Sequence, residues 1–326
     1  MEADSINGIE TNALSVGFRH GNISTVLLED LTLSLQPGKL VCFMGPNGIG
    51  KSTLIRTLSG LQQPLAGEIK YGSQSSVAPF QLPRHLSVVL TDRVTAVNMT
   101  VHDLVAYGRY PYLGWDLKFG PHDNALINTT LSQFHIDGLA DKKIHELSDG
   151  QLQMVMIARA VVQDTPTILL DEPTAHLDLN NRLEIMKLLQ KLAHESEKAI
   201  LVSTHELDLA LQTADIIWLA GQNKKIITGI PEDLVLNGSF DSIFQFKGFD
   251  LKTGKIQHEP YRGLEIQIIG DGHGYLWTRN VFERNGFIII DNAEVKVRVS
   301  QGPATVWVVN DKIHFTSLEA LLGHFV

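Results

Sequence analysis

The hydrophobic pattern changes period several times along the chain, and each change predicts an element. Residues 12–18 and 25–36 carry strand-like patterns around the polar tip Arg19-His20-Gly21-Asn22, and Pro37-Gly38 marks a turn. Leu40–Met44, Thr167–Leu170 and Ala199–Ser203 are uninterrupted apolar runs, as expected of parallel strands covered on both faces. Glu68–Tyr71 and Leu86–Leu90 add shorter strands, the latter ending at Thr91-Asp92-Arg93, and residues 74–84 between them read as a surface loop. From about residue 100 to 164 the period becomes helical. Thr100 with Asp103 forms a near capping box, Arg109–Trp115 is a link broken by proline and glycine, and an amphipathic helix follows from about 123 to 134. The apolar helix Leu152–Ala160 closes this block, which predicts a helical subdomain over about residues 95–164.

Beyond residue 257 a second pattern begins. Leu264–Ile269 is strand-like, and a helix is predicted from Trp277 to Arg284. Strands follow at Gly286–Ile290, Val295–Val299, Ala304–Val309 and Lys312–Phe315, before a last helix capped by Thr316-Ser317. The organisation expected is an α/β domain over residues 1–256 and a small α/β appendage over 257–326.

Composition narrows the class. A chain of 326 residues exceeds what one core usually serves, so two lobes or more are expected. The net charge of −9 argues against a general nucleic-acid surface, so no nucleic-acid partner is expected. The one cysteine, Cys42, lies in a buried-strand pattern, excludes an internal disulfide and fits a reducing compartment. Met1-Glu2-Ala3-Asp4 is acidic without a signal-type apolar core, and no window approaches about 18 apolar residues, so a soluble protein is expected, linked to any membrane through a partner.

Candidate chemistry concentrates at strand ends. Gly45-Pro46-Asn47-Gly48-Ile49-Gly50-Lys51-Ser52-Thr53 lies between a buried strand and a helix, the context in which a glycine-rich loop turns its amides inward and cradles phosphates. Lys51 would reach the β- and γ-phosphates and the Ser52 hydroxyl would sit on Mg²⁺. Asp171 and Glu172 stand at the carboxyl end of another buried strand, where open α/β sheets place ligands: one carboxylate to hold the magnesium shell, one to polarise a water. His205 ends a third strand, where it either contacts the γ-phosphate or is a satisfied hydrogen-bonding residue. Ser148, ahead of Asp149-Gly150-Gln151, is an N-cap that can also offer free amides to an anion, and Phe18 either stacks on an adenine ring or packs at a strand end. Gly270–Gly274 and His273, in the appendage, match no complete phosphate or metal pattern.

Taken in order, GPNGIGKST, LSDGQ, ILLDEPTAHLD and VSTH resemble the nucleotide-binding subunit of ATP-binding cassette (ABC) transporters over about residues 12–250. The resemblance implies a P-loop NTPase fold of cassette type: a RecA-like lobe with an antiparallel β edge, plus a helical subdomain. It implies a Mg²⁺-dependent ATPase working as a head-to-tail homodimer. Each ATP would lie between Gly45, Asn47, Gly48, Gly50, Lys51, Ser52 and Thr53 of one copy and Ser148 and Gly150 of the other. It further implies Phe18 as the adenine-stacking aromatic, Asp171 with Ser52 as magnesium ligands, Glu172 as catalytic carboxylate, Asp178 as the acid of the inter-subunit loop and His205 as the switch histidine. The stretch from Thr100-Val101 to Tyr112, with Gly114-Trp115, is similar to the ATPases of bacterial importers for ferric siderophores, haem and vitamin B12. That likeness implies polytopic permease partners, indirectly a periplasmic substrate-binding protein, and a cytoplasmic place on the inner face of the cell membrane. An exporter cassette, a soluble ABC ATPase acting on ribosomes or DNA, and a regulatory module that does not turn over ATP are the rival readings. One P-loop without a sustained heptad run disfavours the second, and Glu172 disfavours the third. Three positions depart from the family pattern: Thr91 in place of a glutamine, with Asp92 as a substitute, Asp149 in place of a glycine, and Met154 in place of an arginine. They predict real but slow hydrolysis.

Overall fold

A computed structural model describes residues 8–21, 23–72, 77–91, 98–246, 248–256, 258–300 and 305–325. Met1–Asp4, Asn22, the 74–76 part of the expected loop, Asp92 and Arg93, the 95–97 start of the expected helical subdomain and Ala304 lie outside these residues. The chain divides into two compact units, Met1–Gln245 and Phe246–Val326.

The first unit opens with β1 (Ile9–His20), β2 (Ile23–Leu31), β3 (Ser34–Leu35) and β4 (Leu40–Met44), followed by α1 (Lys51–Leu58), β5 (Ala66–Tyr71) and β6 (Leu86–Val89). The helical block holds α2 (Val101–Ala106), α3 (Pro121–Gln133) and α4 (Asp149–Val162). Then come β7 (Thr167–Asp171), α5 (Leu179–Ser196), β8 (Ala199–Ser203), α6 (Leu207–Thr213), β9 (Ile216–Ala220), β10 (Ile226–Gly229), α7 (Pro231–Leu236) and α8 (Ser239–Phe244).

Two sheets organise this unit. In the larger, of order β10-β9-β4-β8-β7-β6, every pair but β10 with β9 is parallel. The residues of β4, β7 and β8 are buried throughout, which is why those strands read as continuous apolar runs. In the smaller sheet β1 pairs antiparallel with β2, β3 and β5. One core joins them: Leu14 and Leu28 from the smaller sheet pack with Phe43, Leu169 and Leu201 from the larger and with Leu54 and Ile55 of α1. Cys42, between Val41 and Phe43 on β4, is fully buried, and burial, helped by Asp215, pushes its thiol up to about 12.

The capping predictions are realised. Thr100 caps α2 with Asp103 reciprocating, and Ser148 caps α4 with Gln151 reciprocating. The link after α2 is a 3-10 turn that holds the Arg109 guanidinium, buried, against Asp123 at 2.8 Å and against the Val162 and Gln163 carbonyls. Within the expected loop after β5, Leu82 is buried in a 3-10 turn, so apolar packing pins its second half to the core.

The second unit contains the hairpin β11 (Phe249–Asp250) and β12 (Lys255–Ile256), then β13 (Glu265–Ile269), α9 (Gly272–Arg284), β14 (Ile288–Ile289), β15 (Val295–Ser300), β16 (Val306–Val309), β17 (Ile313–Phe315) and α10 (Leu318–Gly323). Its sheet runs β14-β13-β15-β16-β17, parallel for the first two pairs and antiparallel for the last two. It has its own core, with Phe282, Phe287 and Phe325 edge to face and the buried Trp307 Nε1 donating to Thr278 Oγ1 at 2.6 Å. Helix α9 starts five residues ahead of the expected Trp277, so Gly272–Gly274 form its first turn rather than a free loop. Among the described residues no helix is long and apolar enough to cross a membrane, and no cluster of metal-ligating side chains occurs.

Candidate active site

The P-loop leaves β4 and enters α1 with Gly45 at φ 156°, Gly48 at 78° and Gly50 at 114°. Gly45 is doubly constrained, since a Cβ there would come within 2.9 Å of the Ala220 carbonyl oxygen. No side chain caps the start of α1, and its first turn carries no acid, so its leading amides remain available to an anion. Lys51 is buried and turns back into the loop, donating to the carbonyls of Gly45 at 2.9 Å and Pro46 at 3.4 Å. Burial holds its ammonium below the ordinary lysine value, against the opposing pull of Glu172 and Asp171.

These carboxylates arrive from β7. Asp171 is fully buried: Oδ1 accepts a 2.5 Å hydrogen bond from Ser203 Oγ, and Oδ2 has no partner among the described residues. A buried carboxylate oxygen without a donor is costly unless something else satisfies it, and a divalent cation is the chemistry that fits. Glu172 sits at φ 49°, a strained backbone for a non-glycine residue. Its amide is held by both the carbonyl of Ser203 at 3.1 Å and the Ser203 hydroxyl at 3.0 Å. His205 follows β8, with Nδ1 3.7 Å from Glu172 Oε2, and Thr204 ties that segment to β4 through the Phe43 carbonyl. The structure thus brings Lys51, Asp171, Glu172 and His205 to one end of one sheet.

Ser203 is the participant that the sequence did not disclose. The register pairs Asp171 with Ser203 across β7 and β8, so one hydroxyl serves both acids. Its only trace in the sequence is a small polar residue closing an apolar strand beside Thr204-His205.

The remaining candidates lie elsewhere. Phe18 faces solvent on β1, 47% exposed, opposite Thr25. Ser148, Gly150 and Asp178 share a depression of about 640 Å³ with His176, to which no P-loop residue contributes. Asp178 also caps α5, accepting from the Asn181 amide at 2.9 Å. A Cβ on Gly150 would stand 3.1 Å from the His176 carbonyl oxygen, so the two loops lie close together. Asp149 is exposed in the first turn of α4, Met154 is buried and Thr91 is exposed.

A phosphate-cradling loop, a buried lysine and paired acids at strand ends, beside an antiparallel sheet and a helical block, define a P-loop nucleoside triphosphatase of cassette type. The family model described as ABC transporter matches residues 28–175, and that of the iron ABC transporter C-terminal domain matches residues 263–325. An uncharacterised ABC transporter ATP-binding protein of Methanocaldococcus jannaschii is 35% identical over 273 residues, covering 82% of this chain and 93% of the relative. The petrobactin import ATP-binding protein of Bacillus anthracis is 34% identical over 230 residues, covering 70% and 82%. Among solved structures, the dimeric bacterial ABC transporter cassette MJ0796 superposes with a TM-score of 0.61 at 24% identity, over 68% of this chain and 98% of that one, a likeness of fold. The chain belongs to the ABC transporter family as an ATP-binding, ATP-hydrolysing protein.

Proposed function

We propose that this chain energises uptake of a ferric chelate, two copies closing on ATP and Mg²⁺ against polytopic permease subunits at the inner face of the cell membrane. Delivery of cargo by a periplasmic substrate-binding protein completes the reading. The observation that carries the site chemistry is the unpartnered buried oxygen of Asp171 beside Glu172, with His205 Nδ1 3.7 Å from the Glu172 carboxylate. Support for iron comes from the match of residues 263–325 to the iron ABC transporter C-terminal domain, and support for uptake from the petrobactin-import relative.

In the mechanism, Phe18 stacks on the adenine, and the amides of residues 45–53 with Lys51 bind the β- and γ-phosphates. Ser52 and Asp171 would hold the magnesium ion, which supplies neutralising charge to the phosphates. Glu172 orients a water on the γ-phosphorus and accepts its proton as the bond to ADP breaks. His205 hydrogen-bonds the departing phosphoryl oxygens in this reading. Ser148 and Gly150 sit apart from the P-loop of their own chain, an arrangement that supports their acting on the ATP held by a second copy. Phosphate release then removes the charge that joins the copies.

Glu172→Gln tests the chemistry: the variant is expected to retain ATP and cease turnover, and unchanged turnover would remove the role. Uptake assays with ferric siderophore, ferric haem and cobalamin, in cells that depend on this chain, test the cargo; loss of cobalamin uptake alone would overturn the iron assignment.

A further inference from the structure

Glu206 has no part in the roles assigned above, yet it joins the His205 segment to the loop that carries Asp178. Its side chain is 11% exposed. Oε1 accepts from Thr174 Oγ1 at 3.1 Å and lies 3.3 Å from Arg182 Nη1, while its own amide donates to Thr204 Oγ1 at 3.0 Å. Thr174 is buried, and its carbonyl receives the Leu177 amide at 3.2 Å. Arg182 uses a second nitrogen, Nε, to donate to the Leu177 carbonyl at 2.6 Å, directly before Asp178. One carboxylate therefore grips loop 174–178 near both ends, and the His176 carbonyl of that loop faces Gly150.

An ion pair whose acid is 11% exposed and whose arginine is 34% exposed adds little net stability, because desolvation on one side and solvent screening on the other offset the attraction. What it does supply is a fixed distance between two loops. A lysine in place of Arg182 would keep the charge but offers one nitrogen, which cannot serve the Leu177 carbonyl and Glu206 in the same fork geometry.

We infer that Glu206, Thr174 and Arg182 form a positioning clamp that locks the His205 segment to loop 174–178, so that closure at the γ-phosphate and presentation of Asp178 to a second copy occur together. This rests on the two-copy reading above. Glu206 touches neither phosphate nor water in this scheme; it acts through His205 on one side and Leu177-Asp178 on the other.

The test compares Glu206→Gln, Arg182→Lys and Thr174→Val with the parent in the full chain, measuring kcat, the KM for ATP, melting temperature and, in a Glu172→Gln background, ATP-driven association. Glu206→Gln and Arg182→Lys are expected to lose kcat on the order of 10- to 100-fold, the scale of a misplaced catalytic group, and to associate more weakly by a similar factor, with nucleotide affinity held within about twofold. Thr174→Val should lose less, in the same direction. Parental kcat and association in the folded variants would overturn the clamp, as would a fall in melting temperature with kcat and association unchanged. Joint loss of nucleotide affinity and kcat would also overturn it, by locating the fault in the P-loop. Should Glu206→Gln not fold, Arg182→Lys and Thr174→Val decide by the same criteria. Lys51→Ala in the same assays separates this from failure of the site itself: if that variant keeps ATP affinity and turnover, the nucleotide-site reading falls first.

Discussion

Ser203→Ala is the sharpest probe of how this site is held. The hydroxyl donates to the buried Asp171 carboxylate at 2.5 Å and accepts the strained Glu172 amide at 3.0 Å. Removing it strips Oδ1 of its donor and leaves it, like Oδ2, without one among the described residues. A hydrogen bond to a charged group contributes about 1.5–3 kcal/mol, and an orphaned buried acceptor costs a similar amount. Glu172 retains the Ser203 carbonyl, so its backbone is weakened rather than released. A net loss of about 2 kcal/mol in stability is therefore expected. If the same energy is lost from the transition state through a misaimed Asp171, turnover falls about 30-fold. Denaturant unfolding reads the first number, and ATP hydrolysis titrated against Mg²⁺ reads the second. Half-saturation should move to higher Mg²⁺ while the KM for ATP at saturating Mg²⁺ changes little, and Ser203→Cys, a weaker donor of similar size, should fall between. An alanine variant with parental stability and Mg²⁺ dependence would show that Ser203 does not hold Asp171 in place.

Two further outcomes are expected. Asp149→Gly removes a negative charge from the helix start that faces phosphate in the two-copy reading, and it should raise turnover roughly severalfold at low salt, an effect that shrinks as salt screens it; an unchanged rate at every ionic strength would dismiss the idea. The hydrogen bond from the Arg109 guanidinium holds the Asp123 carboxyl below its ordinary 3.8, ahead of the opposing effect of burial. Because the folded value is the lower one, this stabilisation is complete above 3.8 and is lost as pH falls through the folded value. Asp123→Asn should lower stability at neutral pH and flatten the acid limb of the stability curve, and an acid limb identical to the parent's would contradict the assignment.

That residues 45–53, Asp171, Glu172 and His205 gather at one end of a sheet was legible because each stands at or just beyond the end of a strand whose apolar run announces it. Ser203 was not, since its role depends on which residue of β8 lies opposite Asp171, and register is a tertiary property. Nor does sequence disclose the left-handed backbone at Glu172, whose amide donates to both the carbonyl and the hydroxyl of Ser203. The caps at Thr100 and Ser148 were readable because both partners lie within three residues. In the second unit the three glycines at 270, 272 and 274 disguised the beginning of α9, because that spacing reads as a turn although the helix already runs through Gly272 and Gly274. The hairpin β11–β12 clusters with that unit, so the compact division falls at residue 246, ahead of the pattern change near 257.

In the proposed mechanism ATP is held between two copies, by the P-loop of one and the Ser148–Gly150 segment of the other. Sedimentation of the Glu172→Gln chain with and without MgATP tests it most directly. A dimer is expected that appears with MgATP, is absent with MgADP and is abolished by adding Lys51→Ala. A mass that does not respond to ATP, in a variant that demonstrably binds it, would rule out the two-copy site.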